Sequence, residues 1–237
     1  MGDAERYVSG VKTEVAIART RARVAALHIS LARHGVIVWN VGAVSERVPG
    51  SDLFVIKASG IPEDELAPEN MVLCDADGSP VPETPGSDRA PSSDATMHAE
   101  LYRASAEIGG IVHTHSGYAA AWSARGEDVP CVTTAMAEEF GGPVPAITAE
   151  DDRPAAAISA ALATQPSRAV LVRGHGSISV GPSAKAAVKT AIALEDAART
   201  VQLARQGGDV APLAPAAVER RFAESRSRDL QITDDRR

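Results

Sequence analysis

The chain has 237 residues, 44% of them hydrophobic but only 3% aromatic, and a formal net charge of −7. That length suits one domain with an aliphatic, alanine-rich core, and the scattered positive charges exclude the basic stripe of a nucleic-acid-binding protein. No apolar run approaches the ~20 residues of a membrane span, and "MGDAERYVSG" has no apolar signal region and Arg6 where myristoylation wants Ser or Thr. A cytoplasmic protein without membrane or nucleic-acid partners is expected.

Residues 11–34, "VKTEVAIARTRARVAALHISLARH", have the spacing of an amphipathic helix that stops at Gly35. "VIVWN" (36–40), "LFVIK" (53–57) and "MVLCD" (71–75) have strand composition, and "SERVPGSD" (45–52) reads as a turn-rich connection. A loop dense in Pro, Ser and Gly (78–94) then runs into "ATMHAELYRASAEI", a helix with Asp94 as its N-cap. "GIVHTH" is a strand, "GYAAAWSAR" a short helix, "VPCVTT" a strand, "PAAAISAALA" a helix and "RAVLVRGH" a strand turning at Gly174 and Gly176. A long helix is expected over 183–206, and the charged tail, 215–237, carries a short helix around "AAVERRFAES" before fraying. Strands and helices alternate without a linker or repeat, so a single domain over 1–237 is expected. Cys74 and Cys131 are read as buried free thiols.

Only six histidines occur, and two stand one residue apart in "IVHTHS" (111–116). On a strand, alternate side chains share a face, so His113 and His115 can grip one metal ion. An isolated His-x-His is more often structural or solvent-facing. His175, between two glycines after an apolar strand, and Asp94, at a helix start, add to the pair. Three imidazoles and a carboxylate are reasonable ligands for Zn²⁺ or another divalent first-row metal. Ser92 and Ser93 precede the Ala95 helix, and "KASG" (57–60) offers Lys57, Ser59 and Gly60. Helix N-termini and hydroxyl-rich turns of this kind bind phosphate, although ordinary capping explains them too.

Three blocks, "FVIKASG", "PSSDATMHAELYRASAEIGGIVHTHSGYAAAW" and "VLVRGHGSISVG", resemble successive segments of the class II aldolase/adducin family, nearest the L-ribulose-5-phosphate 4-epimerases. The similarity runs in order over roughly residues 14–206. It implies a single three-layer α/β/α domain with a mostly antiparallel central sheet, assembled as a homotetramer with sites between subunits. Position by position it makes His113, His115 and His175 metal ligands, with Asp94 the acidic residue beside the metal. The same position is typically Glu in the fuculose-phosphate aldolases, which favours the epimerase branch. Ser59, Gly60, Ser92 and Ser93 match a substrate-phosphate pocket, and Lys57 and Asn40 match residues lining it.

The activity implied is epimerisation of a phosphorylated ketose by retro-aldol cleavage through an enediolate, rotation of the freed aldehyde and re-addition. The cofactor is a divalent metal, Zn²⁺ first, with Mn²⁺, Co²⁺ or Fe²⁺ as alternatives. Acid–base chemistry needs groups on both faces of the aldehyde. The offset from His113 puts the family's catalytic Asp at Glu138, in "TTAMAEEFGG", with Glu139 as fallback. The other expected partner, a C-terminal tyrosine, is missing: the three tyrosines are 7, 102 and 118. An aldolase or another lyase on the same scaffold therefore stays open, as do a redox-active iron site and a non-catalytic adducin-like domain. His98, one turn beyond Asp94, is read as part of the wall of the site rather than a ligand. His28 and His34 are read as structural or solvent-facing.

Overall fold

A computed structural model describes residues 3–39, 41–82, 89–149 and 153–234. Seven strands, β1 (Gly42–Arg47), β2 (Phe54–Lys57), β3 (Met71–Cys74), β4 (Gly110–Thr114), β5 (Ala146–Ile147), β6 (Ala169–Val172) and β7 (Gly176–Gly181), form one sheet in the order β3-β2-β1-β4-β7-β6-β5. The sheet is mixed but mostly antiparallel: β5 runs parallel to β6, while β1–β2, β1–β4, β2–β3 and β6–β7 are antiparallel. The helices are α1 (Asp3–Arg33), α2 (Ala95–Ala104), α3 (Gly117–Arg125), α4 (Thr134–Phe140), α5 (Pro154–Thr164), α6 (Ala184–Arg205) and α7 (Pro215–Asp234). This is the α/β class expected. None of the described helices is long and apolar enough to cross a membrane.

By internal contacts the chain sorts into two compact units: Met1–Thr114 with Val180–Val188, and His115–Ser179 with Lys189–Arg237. In the first, α1 packs on β1, β2 and β3. Every residue of β2 is buried, including Lys57, so it reads as a continuous apolar run rather than an alternating one. Two polar residues of β1 are also buried, and each is satisfied from far away in sequence. The Ser45 hydroxyl meets His98 Nδ1 and the Tyr102 hydroxyl, each at 2.7 Å. Glu46 takes the Arg23 guanidinium and the Ala184 N–H at the start of α6.

The second unit has its own aliphatic and aromatic core, built on Trp122, Phe140, Leu171, Leu194 and Val201. Trp122 is fully buried and donates its indole N–H to the Ala198 carbonyl at 3.2 Å, as a buried indole should. Gly141 ends α4 in the left-handed region (φ +67°) and lies against Phe222 of α7. Among the described residues the tail is a continuous helix over Pro215–Asp234, longer than the short one expected, because Val218 is buried in this core and α7 packs along α4.

Three further differences have physical causes. "VIVWN" is not a strand: Val38 bridges Val41 across a tight turn in which Trp39 adopts φ +52°. The strand is the next segment, "GAVSER", where Ser45 and Glu46 disguise a buried ladder. "VPCVTT" makes only one isolated bridge, Val129 to Val144, and Thr133 caps α4 by accepting the Met136 N–H. Cys74 and Cys131 are buried and free, and burial pushes the Cys74 thiol up to about 12.

Candidate metal centre

β4 lies antiparallel to β1, with Ala43 opposite His113 and Gly42 opposite Thr114. Gly42 stands at φ +117°, and a Cβ there would lie 2.6 Å from the His113 carbonyl. Glycine is required for that approach, which fixes the backbone of His113. The ring is 3% exposed, and its Nδ1 lies 3.0 Å from Asp94 Oδ2. Asp94 sits at the N-cap position of α2 but makes no side-chain cap. The Ser92 hydroxyl accepts the Asp94 N–H instead, which leaves the carboxylate to His113. A carboxylate on one imidazole nitrogen fixes the tautomer and orients the other nitrogen for a metal.

His115 follows the end of β4, and His175 sits in the turn between β6 and β7. Their rings meet edge-on with centroids 4.9 Å apart. His113, His115 and His175 each offer one ring nitrogen, and these nitrogens all lie within 4.8 Å of one another. Around a tetrahedral Zn²⁺, with Zn–N near 2.0–2.1 Å, neighbouring nitrogens stand roughly 3.4 Å apart. The donor set therefore fits a divalent first-row ion after small adjustments of the rings. Among the described residues this is the cluster of ligating side chains that gathers, and Asp94 touches it through His113.

The residues expected to bind phosphate are brought together as well. Ala58 bridges Pro91, the Ser59 N–H donates to the Ala90 carbonyl and the Ser92 N–H donates to the Lys57 carbonyl. Residues 57–60 and 90–93 are thereby laid side by side. Ser59 and Ser93 are exposed, Ser92 is nearly buried and Gly60 turns at φ +76°. Lys57 is 3% exposed. Burial lowers its pKa, and the carboxylates of Glu63 and Asp94 oppose that lowering. Asn40 lies outside the described residues.

Glu138 and Glu139 are on α4. Glu138 Oε2 receives Arg228 of α7 at 3.1 Å. Glu139 is held by Lys189 at 2.7 Å and Thr190 at 2.8 Å on α6. Of the described tyrosines, Tyr102 is buried on Ser45, with its pKa raised by burial, and Tyr118 opens α3. Sequence reasoning missed Ser45, Glu46 and Glu195 as organising residues, since each finds its partner more than fifty residues away or on another element.

His98 is fully buried, with Nδ1 on Ser45, and is not one of the gathered ligands. His28 is buried with Nε2 3.4 Å from the Gly42 carbonyl, whereas His34 is exposed. Burial lowers both His28 and His98 from 6.5 to about 4, with Lys57 adding to the effect at His28 and His113 at His98, where Asp94 opposes it. Below pH 6.5 the unfolded chain takes up protons that these folded sites refuse. Stability is thus present above pH 6.5 and is lost as pH falls towards 4, by up to about 1.4 kcal/mol per pH unit for each histidine. Urea unfolding of chelator-treated protein at pH 7, 6 and 5 should show this decline. His28→Gln should flatten it; an equal slope in that variant would refute the assignment.

A mostly antiparallel α/β sheet carries three clustered imidazoles that could hold a divalent metal ion, with a carboxylate behind one of them. The chain belongs to the class II aldolase and adducin family, whose N-terminal-domain model matches residues 22–202. It is 32% identical over 190 residues to L-ribulose-5-phosphate 4-epimerase UlaF of Salmonella paratyphi B, covering 75% of this chain and 82% of that protein. It is 36% identical over 125 residues to probable L-ribulose-5-phosphate 4-epimerase UlaF of Mycoplasma pneumoniae, covering 53% of this chain and only 50% of that protein. A solved L-fuculose 1-phosphate aldolase shares the fold with a TM-score of 0.78 at 23% identity, over 87% of this chain and 95% of that one.

Proposed function

We propose that this protein is a metal-dependent sugar-phosphate epimerase of the L-ribulose-5-phosphate 4-epimerase type, acting on a phosphorylated ketose by retro-aldol and aldol steps. The observation that carries this reading is the cluster of His113, His115 and His175 with Asp94 on His113. Nitrogen donors of this kind suit Zn²⁺ first, with Mn²⁺, Co²⁺ or Fe²⁺ as alternatives. When bound, the ion supplies Lewis-acid stabilisation of the negative charge left on the ketone fragment as the C3–C4 bond breaks.

The remaining work falls to the chain's own groups. Asp94 holds the His113 ring in one tautomer. The hydroxyls of Ser59, Ser92 and Ser93 and the backbone N–H of Gly60, with Lys57 beside them, bind the phosphate, so the aldehyde fragment stays while it rotates and shows its other face. The proton of the C4 hydroxyl leaves as the bond breaks and returns after re-addition. Glu138, whose Oε2 is held by Arg228, is the carboxylate assigned to one of these transfers by its offset from His113. A cytoplasmic homotetramer with sites between subunits completes the reading.

A second reading, an aldolase that releases the aldehyde, is favoured by the likeness of the fold to a solved L-fuculose 1-phosphate aldolase. Incubation of metal-loaded protein with L-ribulose 5-phosphate, D-xylulose 5-phosphate and L-fuculose 1-phosphate, followed by NMR, separates the two. Interconversion of the pentulose phosphates supports the epimerase, release of free aldehyde supports the aldolase, and inertness towards all three refutes both substrate assignments. Absence of any bound divalent ion, before or after loading, would instead favour a non-catalytic adducin-like role.

The phosphate cradle has its own test. Ser59 is exposed, so Ser59→Asp should fold normally while placing a carboxylate against the substrate phosphate. KM for the phosphorylated ketose should rise at least about tenfold, the scale of a like-charge contact of roughly 1–2 kcal/mol, with metal content unchanged. An unaltered KM would remove Ser59 from the cradle.

A further inference from the structure

His115 and His175 come from segments sixty residues apart in sequence, and yet their rings must converge to hold one ion. α3 begins two residues after His115. At this end Glu195 of α6 accepts two backbone N–H groups with one carboxylate: Tyr118 N–H to Oε1 and Ala119 N–H to Oε2, both at 2.9 Å. The first N–H groups of a helix have no partner within the helix, and its dipole favours an anion there. The local candidate for this task, Ser116, occupies the N-cap position without capping. Glu195 has taken its place from another element, and so ties the turn after His115 to α6.

Two turns further along, the same helix holds the other histidine. Ser123, 1% exposed, donates its hydroxyl to the Val172 carbonyl at 2.6 Å, and its own carbonyl accepts the Gly174 N–H at 3.2 Å. These are the residues that turn the chain into His175, whose N–H closes the turn on the Val172 carbonyl at 3.0 Å. Gly174 adopts φ +71° within this turn. Immediately before Ser123, the Trp122 indole donates to the Ala198 carbonyl, again on α6.

We propose that α3 is the spacer that sets the His115–His175 geometry, and that Glu195 and Ser123 are positioning residues for the metal. This rests on the metal-centre reading above. Neither residue need touch the ion: one anchors the helix that begins beside His115, and the other seats the turn that presents His175. Groups that orient metal ligands from outside the coordination shell typically affect affinity by about 10–100-fold.

The test is a metal titration against a chromophoric chelator, with Co²⁺ absorption as the probe of geometry, on wild type, Glu195→Gln, Ser123→Ala and Thr164→Ala. Exposed Thr164 bonds a carbonyl of its own helix, α5, and controls for the loss of a hydroxyl. Glu195→Gln keeps one acceptor but turns an N–H group towards a helical N–H. Zn²⁺ affinity should fall about tenfold or more in Glu195→Gln and Ser123→Ala, with weakened or shifted Co²⁺ bands, and stay unchanged in Thr164→Ala. If both variants unfold at lower temperature but bind Zn²⁺ and Co²⁺ as wild type does, their role is structural only and the proposal falls. If Ser123→Ala does not fold, Glu195→Gln alone decides it. Failure of wild type to bind any divalent ion would overturn the metal centre itself, and the spacer role with it.

Discussion

His113→Ala should lose its bound metal and its turnover together, with activity reduced on the order of 10³-fold, the scale of the several kcal/mol that a Lewis acid contributes at a developing oxyanion. Of the three imidazoles, His113 has the least alternative to its present role. Its backbone is pinned by the close pass of Gly42, its ring is buried and its Nδ1 faces Asp94. Removing it leaves two imidazoles on less buried positions, too few for a closed structural or catalytic site. Metal content after gel filtration and the rate with the best ketose phosphate are the two measurements. Retention of a full equivalent of metal would remove His113 from the ligand set, and loss of activity with metal retained would make it a substrate-facing group instead.

The histidine pair was legible because its spacing is local: His113 on β4 and His115 just past its end stand two residues apart, whatever the rest of the chain does. His175 was legible only as a flagged position, since nothing in "RGHGS" says which strand its turn will lie beside. Helices with clear apolar spacing or alanine content were read nearly to their ends, as at α3 and α6. β1 escaped because both its faces are buried and carry polar residues, Ser45 on one and Glu46 on the other, whose partners His98, Tyr102, Arg23 and Ala184 stand far off in sequence. A pattern of burial satisfied at long range leaves no local trace. The same reason hid Glu195, which looks like one more charge on a long helix until α3 is seen to begin upon it. The phosphate cradle was half visible: each serine-rich turn could be seen, but not the pairing of residues 57–60 with 90–93.

Gly110→Ala is expected to have the largest effect on stability of any single methyl group added to the chain. Gly110 opens β4, as the strand expected for "GIVHTH" requires, and pairs with Glu46 of β1. A Cβ on it would lie 2.1 Å from the Ala184 nitrogen and 2.3 Å from the Ala184 Cα. Those are backbone atoms at the first turn of α6 and cannot rotate aside. The start of α6 is itself held there, by the Ala184 N–H on buried Glu46 and by the Gly109 N–H on the Gly181 carbonyl. Overpacking by a methylene costs about 1–3 kcal/mol where neighbours can yield; here both sides are fixed, so the cost should exceed about 3 kcal/mol. Gly35→Ala is the matched control: its φ of +69° strains an alanine, but a Cβ there meets nothing within 4 Å, so about 1 kcal/mol is expected. Denaturant midpoints of chelator-treated protein give both values. A Gly110→Ala variant within about 1 kcal/mol of wild type would mean that α6 does not close on β4 as described. Because His113 lies three residues along the same strand, a variant that survives with α6 displaced should also bind Zn²⁺ more weakly, whereas Gly35→Ala should bind it unchanged.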